Sequence, residues 1–198
     1  MLTLYHAPRS RSTTIVQLIE EMGAGDQLRI IEVDIPRQDG SGGQDPKNPH
    51  PEGKVPYLVN GTDHIRERGA IITYLTDLFP QNRMGRAVGD PQRGEYLSWL
   101  FYYQGVMEPV MLLHFAGLSH PAFTASLRDY DAMLTRLDEV LRRQPFLLGE
   151  DCSAVDLLCS GPFAFFGDQM PTTAAVDAWV ARCQDREGVR RIRAREAG

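Results

Sequence analysis

The chain has 198 residues, of which 42% are hydrophobic and 24% charged, and carries a net charge of −5. That length suits two small domains, and the mildly acidic balance excludes the basic footprint expected of a nucleic-acid-binding protein. No apolar run reaches the ~20 residues needed to span a bilayer. The start MLTLYHAPRSRS lacks the basic and long apolar regions of a signal peptide, so a cytoplasmic chain without membrane association is expected.

In chain order, Thr3-Leu4-Tyr5 is a β-favouring run ended by Ala7-Pro8, a first strand and turn. Ile15, Val16, Ile19 and Met22 follow at helical spacing, with Ser10 or Ser12 placed to cap the helix and Gly23 to stop it. Arg29 to Val33 reads as a second strand, which makes the opening β-α-β, a parallel pair with a right-handed crossover. Residues 36–53 are almost without apolar side chains and rich in Gly and Pro, a long surface loop. Tyr57-Leu58-Val59 and His64-Ile65-Arg66 then flank Asn60-Gly61, a hairpin signal. Ile71, Ile72, Leu75, Leu78 and Phe79 make a helix that closes at Pro80.

Residues 1–80 therefore run β-α-β, loop, β-β-α, a thioredoxin-like α/β order on one mixed four-stranded sheet. Residues 81–91 read as a linker, and 92–198 as an all-α domain. Tyr96, Trp99, Tyr103, Val106, Val110 and Leu113 keep one helical stripe, bent at Pro109. Leu127, Tyr130, Leu134, Leu137 and Leu141 form another, Ser153 and Asp156 a capping arrangement, and Ala175 to Cys183 the last convincing helix. The tail VRRIRARE reads as a solvated helix end. Cys152, Cys159 and Cys183 match no redox or zinc spacing and read as buried thiols. The five histidines have no i,i+4 pairing, so no metal is expected.

Four segments, in this order, resemble the soluble glutathione transferase family: YHAPRSRSTTIVQLIEEMG, GKVPYLV, ERGAIITYLTDLFP and FLLGEDCSAVDLL. They correspond to the strand-turn-helix with the activating residue, the strand entered through a cis-proline, the helix beginning Glu-Ser-x-Ala-Ile, and the capping segment of the helical domain. The resemblance implies glutathione as co-substrate, a homodimer, and a small hydrophobic electrophile bound between the domains. Counting back from the helix-ending glycine, Tyr5 matches the catalytic tyrosine of the mammalian-type classes. The serine-type position falls on Arg9, with Ser10 beside it, and the beta-class cysteine falls on Arg11. The candidates for the activating hydroxyl are thus Ser10, Tyr5 and Ser12, in that order.

A free thiol has pKa ~8.5, so a large thiolate population at neutral pH needs a drop of roughly two units, worth ~2.7 kcal/mol. A hydroxyl donor and a helix N-terminus can supply it. Arg9 and Arg11 flank that anion site. By the resemblance, Pro56 turns the backbone of Val55 towards the cysteinyl unit of glutathione, with Lys54 adjacent, and Glu67 meets the γ-glutamyl ammonium. Arg68 stands where the family has Ser facing the γ-glutamyl carboxylate; a guanidinium there either grips that carboxylate or fills its pocket. Tyr102, Tyr103, Met107 and Met111 are the candidate electrophile pocket, although an aromatic and Met stripe is more often the pattern of a core. Two other functions stay open: a non-catalytic binding or regulatory protein on this fold, and another glutathione-dependent reaction such as peroxide reduction, isomerisation or dehalogenation.

Overall fold

The computed structural model describes residues 1–197, which fall into two compact units. The first contains residues 1–84 together with the C-terminal helix, and the second Gly85 to Arg186. The C-terminal segment thus does not stay with the helical domain, as the sequence-based partition at residue 92 assumed.

In the first unit a sheet of four strands has the order β2-β1-β3-β4, with β1 Thr3–His6, β2 Arg29–Glu32, β3 Tyr57–Asn60 and β4 Asp63–Ile65. β1 pairs parallel with β2 and antiparallel with β3, and β4 runs antiparallel to β3. This is the expected thioredoxin-like arrangement. Alternation along β1 buries Leu4 and His6 and leaves Thr3 and Tyr5 half-buried. Helix α1 (Thr13–Glu21) buries Ile15, Val16, Leu18 and Ile19, and Gly23 follows it with φ +62, which glycine adopts without a steric penalty. Helix α2 (Arg68–Leu78) buries Ile71, Ile72 and Leu75 and ends before Pro80.

The hairpin differs in detail from the sequence reading. Asn60 pairs with Asp63, so the two loop residues are Gly61 and Thr62, and only Gly61 has positive φ. A glycine first in a two-residue loop makes this a type II′ turn, with Asn60 the last strand residue. The 36–53 loop is held by its own polar groups: Asp45 accepts the Asp34 and Lys47 N–H groups, and Asp39 accepts from Ser41. Gly42 is required there, because a Cβ would stand 2.2 Å from the Ile35 carbonyl oxygen at φ +71. The Arg37 guanidinium donates to the Pro8 and Arg9 carbonyls, tying this loop to the turn after β1.

The second unit is helical: α3 (Arg93–Tyr102), α4 (Glu108–Phe115), α5 (Pro121–Leu127), α6 (Tyr130–Leu141), α7 (Ala154–Phe166) and α8 (Ala174–Gln184). Between α3 and α4 the chain makes a π turn at Tyr103–Met107, just before Pro109. Pro109 has no N–H for the preceding turn, and the wider winding there accommodates the loss. The stripe read from Leu127 to Leu141 is two helices, because Arg128 takes φ 76 and the Asp129 carboxylate caps α6 through the Ala132 N–H. Ser153 and Asp156 form the expected capping arrangement, and Asp156 does more. Fully buried, it accepts from the N–H and hydroxyl of Ser153, the Leu147 N–H and the Trp179 indole. Burial nevertheless outweighs these donors and raises its pKa. All three cysteines are buried, and none is in a disulfide among the described residues.

The tail read as a solvated end is a full helix, α9 (Glu187–Ala197), which packs on α1 in the first unit. Val189 and Ile192 are buried there. The Glu21 carboxylate of α1 accepts the Gly188 and Val189 N–H groups, so one helix caps the other. Among the described residues no helix is long and apolar enough to cross a membrane.

Candidate functional site

The site begins where β1 delivers the chain to α1. Arg9 takes φ 54, in the left-handed region, and reverses the backbone so that Ser10 and Ser12 fall back towards Ala7. The Ser10 hydroxyl donates to the Ala7 carbonyl at 2.7 Å and lies 2.7 Å from Ser12 Oγ. Ser12 Oγ accepts the Ala7 N–H at 3.1 Å and lies 2.8 Å from His6 Nδ1. Ser12 stands at the N-cap position, yet its hydroxyl does not cap α1, because its backbone is already helical there and the side chain turns inward. Ser12 is fully buried, its hydroxyl facing His6 and Ser10. Ser10 is half-buried, and Arg9 and Arg11 are exposed.

Tyr5, the second candidate, is half-buried on the sheet face that carries Tyr57, ring centroids 6.2 Å apart. It packs against a cluster formed by Ala7, Val33 and Val55. That cluster sets Val55 beside the serine turn. The Val55–Pro56 peptide is cis, as the resemblance implied. Among the described residues the Val55 N–H and C=O take no hydrogen-bond partner, just before the ladder of β3 begins. Lys54 is exposed, its carbonyl held by the Asn48 amide.

Glu67 is exposed and has φ 67, ψ 131, a strained conformation for a residue with a side chain. It stands at the N-cap of α2 without capping it, and the first turn of α2 carries no acidic residue. The first backbone bond of the helix runs from the Ile71 N–H to the Glu67 carbonyl. Among the described residues no side chain caps the N-terminus of α2, whose dipole favours an anion. Arg68, the first residue of α2, is buried while Glu67 is exposed.

Three participants escaped the sequence reading. His6 is fully buried at the end of β1, and its Nε2 faces Glu196 Oε1 of α9 at 3.3 Å, an ion-pair distance without an aligned hydrogen bond. Glu196 Oε2 accepts the Arg9 N–H at 2.6 Å and the Thr13 hydroxyl at 2.8 Å. Burial alone would raise the Glu196 carboxyl, but these hydrogen bonds and the neighbouring imidazole outweigh it and hold it below the usual carboxylate range. The third is Arg37, which fastens the turn from the loop side. The signals were faint: an inward strand position for His6, and Val189, Ile192 and Glu196 at 3- and 4-residue spacing within an arginine-rich tail.

The proposed electrophile residues lie in the helical unit. Tyr103, Met107 and Met111 are buried, spaced by one helical turn through the π segment, which contacts α3, α4 and α7 of the same unit. Their burial places these side chains in that unit's core. Tyr102 is half-buried, edge-on to Trp99 at 5.7 Å, with the Arg128 guanidinium 5.9 Å from its ring. Burial raises its phenol pKa against the opposing charges of Arg128 and Arg136, and the hydroxyl takes no hydrogen-bond partner among the described residues.

No protein-family model and no curated protein sequence matches the chain. Solved structures do. A glutathione transferase of Methylococcus capsulatus strain Bath superposes with a TM-score of 0.78 at 21% identity, covering 100% of this chain and 99% of that one. A sphingomonad glutathione S-transferase complexed with glutathione gives 0.77 at 23% identity over 98% of both chains. The glutathione S-transferase from Xylella fastidiosa gives 0.76 at 21% identity, covering 100% of this chain and 99% of that one. The chain has the fold of these bacterial glutathione transferases, a mixed sheet β2-β1-β3-β4 with its helices followed by an all-helical region.

Proposed function

We propose that the chain is a glutathione transferase: it binds glutathione on the first unit, stabilises its thiol as thiolate and directs it at a hydrophobic electrophile. The observation that carries this reading is the meeting of two features in one cluster. The unpartnered backbone of Val55, next to a cis-proline, lies against the Ala7 end of the turn that holds the half-buried Ser10 hydroxyl. A peptide can pair with such a backbone in strand-like fashion. Its thiol then comes to a hydroxyl beside a helix N-terminus, where an anion is favoured.

The charged ends of glutathione are assigned accordingly. The exposed Glu67 carboxylate meets the γ-glutamyl ammonium, and the uncapped N-terminus of α2 meets the γ-glutamyl carboxylate. Arg68 adds its charge from inside that helix end, the gripping role rather than the blocking one. Arg9 and Arg11 are exposed beside the turn and face the remaining carboxylate in the bound state. Catalysis then rests on proximity and on stabilising the thiolate. The protein acts in the cytoplasm as a homodimer, which sedimentation checks.

A second reading is glutathione binding without conjugation, favoured by the commitment of the Ser10 hydroxyl to the Ala7 carbonyl. Calorimetry with glutathione, followed by a conjugation assay on an aryl halide, separates the two. Absence of binding at millimolar glutathione refutes both; binding without conjugation leaves only the second.

A further inference from the structure

The serine turn is the outer end of a continuous line of buried polar groups. His6 and Ser12 are fully enclosed, and the Glu196 side chain is only 6% exposed. In sequence the line runs Glu196 Oε1, His6 Nε2 at 3.3 Å, His6 Nδ1, Ser12 Oγ at 2.8 Å, and Ser10 Oγ at 2.7 Å. Neither His6 Nε2 nor Glu196 Oε1 makes a hydrogen bond to any other group among the described residues. Burying a carboxylate, an imidazole and a hydroxyl together is costly unless the groups serve one another, and capping α1 does not require it.

We propose that Glu196, His6 and Ser12 are positioning residues of a proton relay that takes the thiol proton of glutathione through Ser10. The relay rests on the function proposed above and deepens it. Its wiring is set by two backbone donors: the Ala7 N–H enters Ser12 Oγ at 3.1 Å, and the Ser12 N–H enters Ser10 Oγ at 3.1 Å. Each hydroxyl oxygen then has one acceptor place left and one proton to give. Without ligand the Ser10 proton rests on the Ala7 carbonyl at 2.7 Å; the same carbonyl lies 3.2 Å from Ser12 Oγ, a longer and weaker place for the Ser12 proton than His6 Nδ1 at 2.8 Å.

With glutathione bound, the thiol proton passes to Ser10 Oγ and breaks the S–H bond, whose electron pair stays on sulfur. The former Ser10 proton passes to Ser12 Oγ, and the former Ser12 proton to His6 Nδ1. One proton has left sulfur and one has arrived on the imidazole, and both serines are hydroxyls again with their directions reversed. Ser10 O–H now donates to the thiolate. His6, its other proton on Nε2, becomes an imidazolium facing the Glu196 carboxylate. That carboxylate is held ready by the Arg9 N–H and the Thr13 hydroxyl.

The other charged and titratable groups around His6 are few. β2 brings Glu32 level with it in the ladder, exposed to solvent. β3 brings Tyr57, paired with Tyr5. The turn carries Arg9 and Arg11, and α9 carries Arg193 one turn before Glu196.

The test is the pH titration of bound glutathione, read by the ultraviolet absorbance of its thiolate, in the natural protein and in Glu196→Gln. The variant keeps the shape of the side chain and removes its charge. The expected result is a midpoint raised by about one unit, roughly tenfold less thiolate at low pH, with glutathione affinity within about threefold. An unchanged midpoint in a folded, glutathione-binding variant overturns the relay alone. Failure of the natural protein to bind glutathione overturns the functional proposal and the relay together. Nitrogen NMR of the histidine rings in the ligand-free natural protein needs no variant. His6 is expected with Nδ1 bare and Nε2 protonated at neutral pH; the opposite tautomer overturns the relay.

Discussion

Replacing Ser10 by Ala removes a hydroxyl that serves two states of the protein. In the ligand-free state the side chain donates to the Ala7 carbonyl and accepts the Ser12 N–H. The site is half-buried, so the stability cost should be about 1 kcal/mol. On the proposed function, the hydroxyl donates to a thiolate in the bound state, and a hydrogen bond to a charged group is worth about 1.5–3 kcal/mol. That raises the thiolate pKa by roughly one to two units. If the natural protein holds glutathione near pKa ~6.5, roughly three quarters of it is thiolate at pH 7, and the variant should hold about three- to twenty-fivefold less. Conjugation at saturating glutathione should fall by the same factor, while affinity measured by calorimetry changes little. The assay pairs the thiolate titration with the rate. A variant within twofold of the natural protein in both, alongside a large loss in Tyr5→Phe, would refute Ser10 and move the activating role to Tyr5.

Arg68→Ser should weaken glutathione binding about fivefold, since it removes a guanidinium whose attraction to the γ-glutamyl carboxylate is worth roughly 1 kcal/mol; tighter binding in calorimetry would mean that the guanidinium blocks the site. Asp156→Ala strands the Leu147, Ser153 and Trp179 N–H donors in a buried place. At about 1–3 kcal/mol for each unsatisfied group the loss should reach at least 3 kcal/mol, measured by urea unfolding of the folded chain. Gly42→Ala should cost about 2 kcal/mol or more, because the residue sits at φ +71 with backbone where its Cβ would go; thermal unfolding checks it. The Glu196 carboxyl is held low in the folded protein. Its contribution is therefore complete above the ordinary carboxylate range of about 4.3 and is lost as pH falls through the lowered value. The Arg9 amide should exchange faster as the pH drops there, and a pH-independent opening equilibrium would contradict this.

Local patterns made the first unit readable. The inward alternation of Thr3 to His6, the Ile15–Ile19 stripe and the Tyr57 to Ile65 hairpin each follow from neighbours a few residues apart. The cis-proline and the Glu67-Arg68 helix start lay in short segments whose resemblance carried their position. The hairpin slipped by one residue because Asn60-Gly61 and Gly61-Thr62 both suit a tight turn, and the pairing of Asn60 with Asp63 decides between them. Helix α5 went unread because PAFTASL carries no apolar period long enough to register. The Glu196 contact was out of reach for a different reason. It joins residues about 190 positions apart, and the helix that brings it carries arginine at positions 190, 191, 193 and 195. Only Val189 and Ile192 betray a buried face, too few to outweigh the charge around them. Likewise Ser12 has the sequence of an N-cap, and only the inward direction of its side chain reveals that it serves His6 instead.

Titration calorimetry of the natural protein with glutathione, followed in the same samples by the thiolate absorbance, tests the central claim most directly. The account requires saturable binding below millimolar glutathione and a bound thiol that ionises well below the free value of about 8.5. No binding, or bound glutathione that ionises like the free tripeptide, would contradict it.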